Sequence, residues 1–165
     1  MYVGTFHSLC LRIIKDNLEY TRLKKNYRLL DTFDQQYLVF RNIYKFRTIS
    51  GIENVMPKGG AWKWAQAICE FSNNLTEELT DVEKMLDDRD MEISTIARVV
   101  STYQDMIEEE NLVDFSAIQT ECYRLLTQNQ DILDELRDKI KYIMIDEYQD
   151  TNYIQEQIVF LLGTH

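Results

Sequence analysis

The sequence predicts a mainly α fold in which a helical stretch, residues 21–138, is inserted between two strand-helix pieces of a parallel α/β sheet, residues 1–20 and 139–165. Three observations carry this expectation. Only five glycines and one proline serve 165 residues, a shortage of turn-makers that favours long helices over a many-stranded sandwich or barrel. Through the middle, apolar residues recur with the spacing of helix faces. At each end, a short β-branched or apolar run is followed at once by a helical pattern, and parallel strands need only a dozen or so connecting residues, so a much longer helical connection reads as an insertion. With 45% hydrophobic and 28% charged side chains, the composition is that of a compact soluble chain and excludes disorder and collagen.

Taken in order, residues 2–6 are rich in aromatic and β-branched side chains and read as a strand. Ser8 is placed to cap the helix that Leu9, Ile13, Ile14 and Leu18 would bury. Phe33, Tyr37, Phe40 and Tyr44 fall at i, i+4, i+7 and i+11, one face of a helix starting near Asp31 or Thr32 and ending by Ser50-Gly51. The breaker cluster from Gly51 through Pro57 to Gly60 follows. Trp64, Ile68, Phe71 and Leu75 repeat the spacing, and Ile93, Ile96, Val100, Tyr103 and Ile107 do so again. Phe115, Ile118, Cys122 and Leu125 form the next stripe, with Asp114 as its expected cap. All these aromatic and apolar stripes read as core packing. The polar stretch 128–141 then leads to Tyr142-Ile143-Met144-Ile145, too short for a helix and read as a strand buried on both faces. Asn152-x-x-Gln155 resembles a capping box, from which Ile154, Ile158, Leu161 and Leu162 continue as a helix.

Charge is uneven. The net charge is -10, yet residues 1–70 hold 11 Lys/Arg against 6 Asp/Glu (+5), while residues 71–165 hold 7 against 22 (-15). The basic residues cluster at Arg22, Lys24, Lys25 and Arg28, then at Arg41, Lys45 and Arg47. Such a strip is either a solvated face or a track for phosphates, and Lys24, Lys25 and Arg28 are its candidate DNA contacts. Cys10, Cys69 and Cys122 are odd in number, far apart and without a C-x-x-C pair, as expected of reduced core thiols in a cytoplasmic protein. No run approaches a membrane span and no signal pattern follows Met1.

The chemistry gathers at the second apolar run. A buried parallel strand presents its last carboxylates at the carboxyl edge of the sheet, where ligands bind in open α/β folds. Asp146 can there hold Mg²⁺, and Glu147 can take a proton from an attacking water. The full string Asp146-Glu147-Tyr148-Gln149-Asp150-Thr151-Asn152 closely resembles motif II of the UvrD/Rep/PcrA-type superfamily 1 DNA helicases, an apolar strand followed by D-E-[FY]-Q-D-T. Val3-Gly4-Thr5-Phe6-His7-Ser8 is similar to that family's G-T-F-H-[SG] element, and Leu112-Val113-Asp114-Phe115 to the L-V-D-F segment where its chain returns from an inserted helical subdomain. Order and spacing agree over the whole chain.

The resemblance implies that residues 1–20 and 139–165 belong to a RecA-like motor domain and that the middle is the subdomain called 1B, which meets DNA near the fork. It implies that Asp146 coordinates the Mg²⁺ of Mg-ATP, Glu147 is the general base, and Gln149 senses the γ-phosphate and couples it to DNA. Thr5 and His7 would touch the backbone of single-stranded DNA. The implied activity is ATP-driven 3′-to-5′ translocation and unwinding, with single-stranded and forked DNA and the remaining helicase domains in cis as partners, no membrane, and a place at the nucleoid. No G-x-x-x-x-G-K-[ST] occurs in the sequence, so the chain looks like an excerpt of a helicase, expected to hydrolyse no ATP alone because the phosphate cradle is missing. A helicase-nuclease of the same superfamily is the nearest rival parent. A stand-alone helical interaction domain is the rival from another class.

Overall fold

Helices make up most of the computed structural model, which describes residues 2–163. In chain order they are α1 (Phe6–Asp16), α2 (Thr32–Arg41), α3 (Ile43–Arg47), α4 (Ile52–Val55), α5 (Ala61–Glu77), α6 (Val82–Leu86), α7 (Met91–Glu109), α8 (Phe115–Gln128), α9 (Gln130–Lys139) and α10 (Tyr153–Gly163). Two short strands, β1 (Arg28–Leu29) and β2 (Leu112–Val113), pair in parallel with Arg28 opposite Leu112 and Leu29 opposite Val113. Side-chain caps fix several of the helix starts. Asp31 Oδ1 accepts the Asp34 N–H (2.7 Å), Asp90 Oδ1 the Glu92 N–H (2.8 Å), and Asn152 Oδ1 the Gln155 N–H (3.0 Å), as the capping pattern anticipated. Each satisfies a backbone donor that the helix itself leaves unpaired, worth about 1 kcal/mol.

The chain packs as two compact units, one formed by Asn26–Thr76 with Thr80–Phe115 and the other by the remaining described residues. Residues 116–138, expected in the helical insertion, thus pack with the two ends of the chain. In the first of these units, a core of Leu30, Leu38, Val39, Phe46, Ile68, Val99, Met106 and others forms around α7. Its one polar knot is buried. Gln35 Nε2 donates to Asn73 Oδ1 (2.9 Å), the Tyr103 hydroxyl (2.9 Å) and Asp114 Oδ2 (3.2 Å), while Tyr103 donates to the same carboxylate oxygen at 2.5 Å. Burial and the adjacent Asp114 charge push the Tyr103 phenol far up, so it stays a donor. Residues from α2, α5 and α7 and the one that follows β2 are thereby tied together.

In the other unit, Cys10, Ile13, Ile14, Ile118, Cys122, Leu125, Leu133, Ile154, Ile158 and Leu162 are buried. Glu121 clamps the chain after α1: its Oε1 accepts the Arg22 N–H (2.6 Å), and both its oxygens take the Arg124 guanidinium, which also donates to the Tyr20 carbonyl. Burial raises the Glu121 carboxyl, but these donors outweigh it and hold the group below the usual glutamate range. All three cysteines are buried with free thiols, as expected. No helix among the described residues is long and apolar enough to cross a membrane.

Three expectations are corrected. Residues 2–5 form no strand, and Thr5 rather than Ser8 caps α1, its Oγ1 accepting the Ser8 N–H at 3.2 Å. Residues 142–145 form no strand and are not buried: Tyr142 is 91% and Met144 90% exposed. The reason is shared, because a strand holds its backbone only through a neighbour's hydrogen bonds, and among the described residues the one sheet is β1 with β2. The Phe33, Tyr37, Phe40 and Tyr44 stripe has the expected spacing but faces outward; the buried face of α2 is Gln35, Leu38 and Val39, and the helix breaks at Asn42. Most of the polar stretch 128–141, largely within the stretch 21–138 expected to be helical, is α9, which buries only Leu133 and has its exposed side laced by i,i+4 contacts such as Gln130 to Asp134 and Lys139 to Glu135.

The buried knot generates a test. Tyr103→Phe keeps the ring and removes the hydroxyl shared by Gln35 and Asp114, leaving a buried carboxylate one donor short. It should cost about 1–3 kcal/mol, read as a lower urea midpoint at unchanged slope; an unmoved midpoint would show that the knot contributes nothing.

Candidate functional site

The two carboxylates of the apolar run stand on a short, strained turn. Asp146 is exposed and its Oδ1 accepts the Glu147 N–H at 3.0 Å. Glu147 has φ 50° and ψ 43°, a left-handed conformation that costs a residue with a Cβ about 1 kcal/mol or more and is concentrated at functional sites. A single turn of 3₁₀ helix, Tyr148–Asp150, follows, closed by the Asp150 N–H to the Glu147 carbonyl (2.9 Å) and the Thr151 hydroxyl to the Tyr148 carbonyl (2.8 Å). Gln149 Nε2 donates to Glu147 Oε2. Tyr148 anchors the turn to α10 through its hydroxyl, which donates to Glu156 Oε1 at 2.8 Å; this bond to a carboxylate raises the Tyr148 pKa.

So Asp146, Glu147 and Gln149 are brought together in one loop. Two exposed carboxylates are a donor set that suits a magnesium ion only where other ligands complete its shell. Among the described residues no three His, Cys, Asp or Glu side chains gather into a cage, and Mg²⁺ in nucleotide sites commonly takes one or two carboxylates and fills its other positions with water and phosphate oxygens. Beside the turn lies an open groove of about 550 Å³ lined by Ile140, Tyr142, Ile143, Ile145, Val159 and Leu162 among others.

Thr5 and His7 share the start of α1. Thr5 spends its side chain on the cap, and its carbonyl accepts the Ser8 hydroxyl (2.8 Å) and the Leu9 N–H (3.0 Å). Tyr2 covers the same turn, its hydroxyl donating to Ser8 Oγ at 2.6 Å and its ring lying 5.4 Å under the Arg12 guanidinium. His7 is half-buried, with its Nε2 3.0 Å from Gln119 Nε2, a contact suited to a ring nitrogen that carries no proton. Burial lowers the His7 pKa, against the opposing pull of the Glu77 charge. Lys24, Lys25 and Arg28 are all exposed. Only the backbone of Arg28 is fixed, its N–H donating to the Asn111 carbonyl at 3.1 Å, while Lys24 and Lys25 fall in the other unit. The Tyr148–Glu156 bond and the Glu121 clamp carried no legible signal, since nothing in their spacing marks them as partners.

The whole chain, residues 1–165, matches the model of a family described as the UvrD/REP helicase N-terminal domain. It is 28% identical over 163 residues to a DNA helicase II of Haemophilus influenzae, covering 99% of this chain and 21% of that protein. It is 27% identical to a probable DNA helicase II homolog of Mycoplasma capricolum (98% of this chain, 22% of that protein). A Staphylococcus aureus protein named ATP-dependent DNA helicase PcrA is 26% identical (99% and 21%). The chain therefore spans about a fifth of the length of these relatives.

His7 supplies a pH test. Its folded pKa lies below the ordinary histidine value of 6.5, so the neutral ring stabilises the folded state above pH 6.5, and that contribution is lost as pH falls through the lowered folded value. An NMR titration of the His7 ring should find its midpoint below 6.5. A midpoint at or above 6.5 would contradict the half-buried neutral ring.

Proposed function

The chain belongs to the UvrD/REP helicase N-terminal domain family, and from that premise we propose that it is the part of an ATP-driven DNA helicase that carries the Walker B carboxylates and an inserted helical subdomain. The observation that bears most of this reading is the Asp146 to Gln149 turn, which sets two exposed carboxylates side by side at the end of an apolar run. In it, the exposed carboxylate of Asp146 would hold the Mg²⁺ of Mg-ATP. The ion, when bound, offsets charge on the phosphates. Glu147 accepts the proton of the attacking water, and Gln149, by donating to Glu147 Oε2, aims that carboxylate and links its position to the γ-phosphate and to DNA.

In the same reading residues 2–5 and 142–145 become parallel strands of the RecA-like sheet, adjacent or one strand apart, once the other strands of that sheet are present, and the helices between them form the insertion. Thr5 and His7 stand by the backbone of single-stranded DNA. Lys24, Lys25 and Arg28 add exposed positive charge toward the phosphates of a fork, where counterion release drives affinity. The remaining motor domains act in cis, translocation runs 3′ to 5′, and the protein works at the nucleoid.

In a full-length helicase that contains this chain, Glu147→Gln should lower kcat for ATP hydrolysis by about 10²-fold or more while Mg-ATP binding stays nearly unchanged, because the carboxamide keeps the shape but takes no proton. The 165-residue chain by itself should show no ATP turnover. Unchanged kcat in Glu147→Gln would remove the role given to that residue, and turnover by the isolated chain would remove the reading of it as a part.

A further inference from the structure

The outward stripe of α2 is an unusual surface. Phe33 (63% exposed), Tyr37 (45%), Phe40 (38%) and, past the break at Asn42, Tyr44 (61%) put large rings in water, although an aromatic side chain buries 150–250 Å² when it finds a core. The rings are ordered against one another. Phe33 and Tyr37 stack with an interplanar angle of 5° at 6.1 Å between centroids, and Trp62, from the first turn of α5, lies 6.0 Å from Phe33 and edge-on to Phe40 at 5.6 Å. A cation borders them, the Arg41 guanidinium 5.9 Å over Tyr37. Contiguous exposed apolar surface with a polar rim marks a binding face.

We propose that Phe33, Tyr37, Phe40 and Trp62 form a stacking platform for the unpaired bases of single-stranded DNA, with Arg41 beside it for the phosphates and Lys45 and Arg47 following in α3. The inference rests on the DNA-helicase reading and adds a place of contact to it. Charge favours a polyanion here: residues 31–64 hold 5 Lys/Arg against 3 Asp/Glu (+2) in a chain of net charge -10. Two acids adjoin the face, Asp34 beside Phe33 and Glu109, whose carboxylate is 3.8 Å from Lys45, and neither reverses the local sign. Length fits as well. From Phe33 to Phe40 the helix rises about 10 Å, the span of about three stacked nucleotides. Every base has a π-face, so such a platform reads single-strandedness and not sequence.

The test uses the 165-residue chain and two labelled oligomers with equal numbers of phosphates, one of thymidylates and one of abasic residues, followed by fluorescence anisotropy at fixed salt. Thymidylate should bind about fivefold or more tightly than the abasic strand. Phe33→Ala with Tyr37→Ala should bring thymidylate down to the abasic level and leave abasic binding unchanged, while Tyr37→Phe, which keeps the ring, should bind as the parent does. Should the double variant fail to fold, tryptophan quenching in the parent decides, expected with thymidylate and absent with the abasic strand. Equal binding of the two strands, or no effect of the double variant, overturns the platform. If Lys24→Glu with Lys25→Glu then weakens both strands alike, the platform falls and the DNA reading stands; no binding of either strand at low salt removes both. Unchanged DNA binding with altered self-association of the double variant would assign the face to a second copy of the chain.

Discussion

A β-strand cannot satisfy its own backbone. Every amide and carbonyl that would join a ladder must find a neighbour or water, and this constraint shapes the chemically interesting end of the molecule. Residues 142–145 are apolar enough to be the centre of a sheet, yet Tyr142 and Met144 project almost wholly into solvent. The groove beside them is open and lined by aliphatic side chains together with Lys141, Tyr142 and Tyr148. The same holds at residues 2–5, where the backbone stays irregular until Thr5 caps α1. What survives without the ladder is the part held by local bonds: the Asp146 carboxylate on the Glu147 N–H, the 3₁₀ turn, and the Tyr148 anchor on Glu156. The candidate catalytic loop is thus preformed by its own short-range hydrogen bonds, while the apolar run before it has no ladder among the described residues.

The unit that contains α2, most of α5, and α7 faces no such shortage. Its two short strands pair with each other, and the sequence distance between Arg28 and Leu112 is closed by this ladder and by the buried knot of Gln35, Asn73, Tyr103 and Asp114. A carboxylate within a core is costly unless donors surround it, so the knot favours one arrangement of the helices that supply it. With its inner face committed in this way, α2 has only its outer face left for the aromatic stripe.

Much of the helical architecture was legible in the sequence because it rests on local rules. The start of α2 at its Asp31 cap, the stripes of α5, α7 and α8, and the Asn152 cap before α10 all follow from periodicity and capping chemistry. Periodicity gives the face of a helix but not its direction. Leu38 and Val39 compete with Phe33, Tyr37 and Phe40 for the interior, and the polar Gln35 decides the contest through partners at positions 73, 103 and 114, which no window around residue 35 contains. The strands were misread for the complementary reason, since an apolar run announces a wish to be buried and says nothing of whether neighbours exist. The parallel β1–β2 pair, two residues on each side, was too short to leave a pattern. At the candidate site the motif identified Asp146, Glu147 and Gln149, whereas the left-handed backbone of Glu147 and the Tyr148 anchor to Glu156 emerge only from the three-dimensional path.

The central claim is that residues 142–145 are a sheet strand lacking its neighbours and that the carboxylates behind them are the Walker B pair of a helicase motor. Hydrogen exchange at the amides of Ile143, Met144 and Ile145 tests it most directly, measured in the 165-residue chain and in a full-length helicase that contains it. Exchange from unpaired backbone proceeds near the free rate, whereas a central strand opens only with global unfolding. Fast exchange in the chain and strong protection in the full-length protein is the predicted result. Fast exchange in both would contradict the claim.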